Sequence, residues 1–138
     1  LAALGDLFAE CCPPDASDKE REKARNAPAR APMIIVGIAS PRHHPKVPEV
    51  EQVMSAAAGM SFISLALNDA GYGAMWRTGP VAYHPSLHDG LGLLPGESII
   101  GFLYTGTVAS EKPSVPRPDT KEYVSRWAAP GRTSPWQV

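Results

Sequence analysis

The sequence predicts a single α+β domain, and three observations carry that expectation. Two short apolar runs rich in β-branched residues, Met33 to Ala39 and Ser98 to Gly106, read as buried strands. Between them, Pro48 to Ala70 reads as one long helix, uncharged from Met54 to Leu67. At 138 residues the chain can bury one core, so residues 1–138 are expected to form one domain. A net charge of −1 with interspersed signs supplies no basic patch for nucleic acid.

The elements follow in order. Leu1, Leu4, Leu7 and Phe8 fall on one helical stripe, which Pro13 ends. Cys11 and Cys12, the two cysteines of the chain, are adjacent, so a bridge between them is strained and no metal-finger spacing exists. Their thiols point to a reducing, cytoplasmic setting. Ser17-Asp18-Lys19-Glu20 has capping-box spacing, and a charged helix to about Arg25 follows. Met33 to Ala39, bounded by Pro32 and Pro41, reads as a strand covered on both faces. Pro48 and Glu49 suit the start of the long helix, and Gly71 can close it in a left-handed cap. Apolar on nearly all sides, that helix must be enclosed all round, and a second subunit is the economical cover.

Its apolar run, Val53 to Asn68, is shorter than the roughly 18–20 residues that span a bilayer. Leu1 to Glu10 lacks the basic head of a secretory leader, so no membrane association is expected. Gly73 to Arg77 reads as a short strand and Pro85 to Leu91 as a helical turn. Lys121 to Trp127 reads as a last helical turn, and Ala128 to Val138 as a loosely held tail.

Residues that could carry chemistry are few. No serine sits in a Gly-x-Ser-x-Gly context, and no Gly-x-x-x-x-Gly-Lys loop is present. Neighbouring His43 and His44 point in different directions without a third ligand, and His84 and His88 read as surface residues, so no metal site is expected. Taken alone, Trp76 and Arg77 describe a core aromatic and an arginine paired with a carboxylate as well as they describe a ligand site. Asn68 and Asp69 suit the polar last turn of a helix.

Several blocks in one order add more. Lys23-Ala24-Arg25-Asn26-Ala27-Pro28-Ala29-Arg30-Ala31-Pro32 precedes the first strand, and His44-Pro45-Lys46-Val47-Pro48 opens the long helix. Met75-Trp76-Arg77-Thr78-Gly79 follows that helix, and Gly101-Phe102-Leu103-Tyr104-Thr105-Gly106-Thr107 completes the set. Together they resemble the nitroreductase family, in particular its compact YdjA-like branch.

The resemblance implies a nitroreductase-like fold: a central mixed or antiparallel sheet flanked by helices, with the long helix at a homodimer interface. It implies an FMN-dependent oxidoreductase that takes hydride from NADH or NADPH and reduces nitro-aromatic, quinone or related acceptors by a ping-pong cycle. Trp76, Arg77 and Thr78 would run along the flavin ring, with Gly71, Gly73 and Gly79 letting backbone approach it. Arg117 would resemble the late basic residue that grips the FMN phosphate, although a solvated loop arginine fits its proline-rich surroundings too. The segment Ala66 to Gly71 matches one associated with the nicotinamide cofactor. No side chain is expected to act as a catalytic acid or base, because the flavin carries the chemistry.

The family's Arg-Arg-Ser type motif for the FMN phosphate is absent from these residues, so an amino-terminal part is expected to lie outside them. That absence supports an alternative: a non-catalytic dimerisation or flavin-sequestering module of the same fold. A redox enzyme built on Cys11 and Cys12 is a third reading.

Overall fold

The computed structural model describes residues 1–110 and 113–135, with Pro135 described by its backbone. Lys112 and the last three residues of the expected tail lie outside the described residues. The chain divides into two compact units, Leu1–Val108 and Ala109–Val138.

In the first unit, α1 (Ala2–Glu10) and α2 (Asp18–Arg25) precede β1 (Met33–Ala39). The long helix α3 (Glu49–Asp69) leads into β2 (Tyr72–Arg77), and α4 (Pro85–Leu91) into β3 (Ser98–Thr107). The sheet order is β1-β3-β2 with both pairings antiparallel, so the expected mixed or antiparallel sheet is antiparallel. Met33 faces Thr105 on one side of β3, and Trp76 faces Leu103 on the other.

Alternation along the strands gives the sheet two distinct faces. Ile34, Val36, Phe102 and Tyr104 pack with Phe8 of α1 and Leu87 of α4 in the main core. The opposite face meets α3, where Met60 Sδ lies 2.8 Å from the place a Cβ on Gly37 would occupy. The central strand β3 is buried from Gly101 to Thr105. On β1, Met33 and Ile38 stay exposed at 47% and 40%, so that strand is not covered on both faces as expected. As an outer strand it has a neighbour along one edge alone.

The local signals explain the helix ends. Ser17 accepts from the Glu20 amide, and the Glu20 carboxylate accepts from the Ser17 amide at 2.8 Å, completing the capping box. Hydrogen bonds from the Ser17 side chain and amide hold the Glu20 carboxyl below the usual glutamate range. A depressed folded-state pKa contributes stability above the unfolded value and loses it as pH falls through the folded one. Ser17→Ala is therefore expected to cost about 1 kcal/mol at pH 7. That loss should shrink as Glu20 protonates in acid, which urea denaturation at pH 7 and pH 3 would measure.

At α3, Glu49 and Glu51 complement the helix dipole, and Gly71 at φ +84 supplies the left-handed residue beyond the C-cap Ala70. Gln52 ties the preceding loop to the helix through Arg42 and Val47. Half-buried Val53, Ala56, Ala57, Ser64 and Leu67 share the sheet-facing stripe of α3 with buried Met60. The other face is open: Val50, Met54, Phe62 and Leu65 are each more than 60% exposed. Within one chain, then, α3 is not enclosed all round. By length and composition it is apolar enough to cross a bilayer, with a mean hydropathy of 1.4 over 18 residues.

The second unit departs from expectation. A single 3-10 turn at Thr120–Glu122 replaces the predicted helical turn, and Trp127 belongs to a hairpin of β4 (Ser125–Ala129) and β5 (Arg132–Pro135). Pro130 and Gly131 form its two-residue connection, with Gly131 at φ +73. A Pro-Gly pair meets that geometry because proline presets a negative φ and glycine tolerates the positive one.

Candidate functional site

β2 is an outer strand, so the side of its backbone turned away from β3 has no strand partner. Arg77 pairs with Phe102 at the last ladder position, and Thr78 continues beyond it. Both side chains are exposed, while Trp76 is half-buried. The three residues expected along a flavin ring thus occupy one accessible sheet edge.

Their side chains point to different neighbours. Trp76 Nε1 donates to the Ile100 carbonyl at 3.3 Å. Arg77 places its guanidinium carbon 5.9 Å from the centre of the Tyr104 ring, within cation–π range. Burial raises the Tyr104 phenol pKa, and the positive charges of Arg30 and Arg77 oppose that rise. Among the described residues neither arginine pairs with a carboxylate. Tyr104 and Gly101 were not singled out as site residues. The sequence signals available were Gly101 as a glycine inside an apolar strand and the Trp76 N–H, whose need for an acceptor the Ile100 carbonyl meets.

The flanking glycines play turn and packing roles. Gly71 and Gly79 have φ of +84 and +135 with open space where a Cβ would stand, whereas Gly73 faces Val108 Cγ2 at 3.1 Å. A missing side chain at Gly73 is thus filled by Val108, not held open for a ring. Asn68 and Asp69 are exposed at the end of α3, and the Asn68 carbonyl accepts from the Gly71 amide. Arg117 is an exposed residue of the second unit.

The histidines do local work. His44 Nδ1 accepts from the Lys46 and Val47 amides, and His84 Nδ1 accepts from the Ser86 amide as the α4 cap. His88 Nε2 meets the Ala82 carbonyl at 2.8 Å. Among the described residues no group of three His, Cys, Asp or Glu side chains gathers as a metal site. An apolar cavity of about 370 Å³ lies between Met33, Leu67, Tyr72 and Thr105. It adjoins the start of β2, about 13 Å of strand away from Trp76.

This arrangement fits part of a flavin. An unpaired backbone edge suits the donor and acceptor rim of a planar heteroaromatic ring, and Arg77, resting over the Tyr104 ring, adds a cation beside it.

Comparison with known proteins gives the same direction. Residues 6–107 match the Nitroreductase family. "Putative NAD(P)H nitroreductase YdjA" of Escherichia coli strain K12 is 40% identical over 104 residues, 73% of this chain and 57% of that protein. The protein of the same name from Escherichia coli O157:H7 matches equally. The chain therefore spans a little over half the length of these curated relatives.

Among solved structures, a nitroreductase-like family protein from Bacillus cereus aligns with a TM-score of 0.73 at 22% identity, covering 92% of this chain and 67% of that one. A nitroreductase family protein from Clostridium novyi NT gives 0.52 at 22% identity, covering 89% and 63%. These two speak for the fold. With the sequence match extending across most of the first unit, the chain belongs to the nitroreductase family.

Proposed function

We propose that this chain is the flavin-facing part of an FMN-dependent NAD(P)H oxidoreductase. The observation that carries the reading is the accessible end of β2, where Trp76, Arg77 and Thr78 adjoin an unpaired strand edge in a family-matched segment. Bound FMN would supply the redox chemistry, taking hydride from NADH or NADPH and returning electrons to a nitro-aromatic, quinone or related acceptor in a ping-pong cycle. The chain's share is orientation: backbone groups at 76–78 hold the ring rim, and Arg77 lends positive charge beside it. On the family resemblance alone, Arg117 is proposed as a phosphate ligand, because a guanidinium can donate two parallel hydrogen bonds to phosphate oxygens.

A homodimer completes the proposal. The open face of α3 is apolar along one stripe while its other face packs on the sheet, an arrangement suited to a second copy of the same helix. Two free cysteines accord with a reducing cytoplasm.

Titrating the purified protein with FMN, then adding NAD(P)H with a nitro-aromatic or quinone, tests the reading. Saturable change in the flavin absorbance and steady NAD(P)H oxidation are expected. Flavin binding without turnover would instead select the flavin-sequestering module, and no spectral change would reject both.

A further inference from the structure

The indole of Trp76 turns toward the centre of the sheet, not along the open edge of β2. Its N–H donates to the Ile100 carbonyl, and a Cβ on Gly101 would overlap the indole Nε1 and stand 2.7 Å from Cδ1. Ile100 is the extra residue of an irregularity in the β1–β3 ladder. Gly37 pairs with Gly101 and Ile38 with Ile99, which leaves Ile100 unmatched. A bulged residue drops out of regular pairing, so its carbonyl is free to take a side-chain donor. Gly37 is hemmed in by the same residue, with Ile100 Cγ1 2.8 Å from the place of its missing Cβ. A bulge carbonyl, an absent side chain at 101 and an indole therefore form one seat.

We propose that Trp76 is a positioning residue that fixes the backbone of Arg77 and Thr78 by anchoring the end of β2 to the Ile100 carbonyl above Gly101. The inference rests on the reading of residues 76–78 as the flavin-facing edge. Arg77 is the last residue paired with β3, so an anchor one position earlier governs the direction of the free end. An indole committed to this seat is not the surface on which a flavin stacks. The chain instead offers backbone and Arg77 to the ring.

Thermal unfolding and FMN titration of the full chain in five forms test this: native, Trp76→Phe, Trp76→Leu, Gly101→Ala and the Trp76→Leu/Gly101→Ala pair. With Trp76 present, Gly101→Ala should lower the midpoint by roughly 5 °C or more, because the new methyl group overpacks the seat. With leucine at 76 the same change should move it by clearly less, because the groups that clash are gone and the strain of an alanine at φ +156 is what remains. Trp76→Phe keeps a ring but loses the N–H. It should hold the midpoint within about 3 °C while weakening FMN binding about threefold or more and shifting the visible band of the bound flavin.

Additive midpoint shifts would show that no such seat exists and overturn the proposal. Coupled shifts with unchanged FMN affinity and spectrum in Trp76→Phe would reduce the seat to a structural contact and overturn the positioning role. A native chain that leaves the FMN spectrum untouched would remove the functional reading and the positioning role with it. The midpoint coupling would still report whether the indole occupies the seat.

Discussion

Phe102→Ala is expected to lower the unfolding free energy by about 3–5 kcal/mol, measured as a fall in the urea midpoint with an unchanged slope. Phe102 is 1% exposed at the centre of β3, where its ring meets Phe8 edge-on at 5.4 Å and an interplanar angle of 70°. It packs in the same cluster as Leu87 and Ile99. Truncation removes the transfer energy of the ring and leaves a void that three separate elements would have to move to close. A central strand paired on both sides cannot shift to fill it, which places the expected cost toward the upper end of the range. A loss below about 1 kcal/mol would mean that α1 and α4 are not held against this face.

For the homodimer proposed through α3, Phe62→Glu is expected to abolish self-association at micromolar protein, read by sedimentation equilibrium as conversion of a dimer to a monomer. Phe62 is 69% exposed in the single chain and lies on the side of α3 opposite Met60, so the change should hardly disturb the subunit's own core. In a two-fold interface the substitution appears twice, and each buried unpaired carboxylate costs several kcal/mol. Together these raise the dissociation constant on the order of 10³-fold or more. A dimer that survives Phe62→Glu would show that another surface joins the subunits.

Much of the first unit was legible in the sequence because its signals are local. The β-branched run at Met33 to Ala39, the proline before α3 with the acidic residues of its first turn, and the Ser17–Glu20 spacing each specify a conformation within a few residues. Lys121 to Trp127 reads as a turn of helix, although the Pro130-Gly131 pair just beyond it is a hairpin signal. A five-residue strand has too few positions for its period to compete with a helical one.

The site was legible as a segment and illegible as a geometry. Trp76, Arg77 and Thr78 are contiguous, so the chain itself brings them together. The partners of Trp76 lie 24 and 25 positions away, at Ile100 and Gly101, and depend on an unmatched residue in a ladder with β1. No local pattern announces such a bulge. The same holds for Gly73, whose lack of a side chain is explained by Val108, its neighbour across the sheet.

The strand order β1-β3-β2 has a consequence for how this protein comes to be folded on the ribosome. The middle strand is the last of the three to be made, and among the described residues neither outer strand has another mate. At synthesis rates of about 5–20 residues per second, β1 waits on the order of 3–14 s for its partner. From the completion of β2 until Ser98 to Thr107 emerges, two unpaired outer strands and the apolar face of α3 are exposed together, which makes that stage of synthesis the one most open to misassociation.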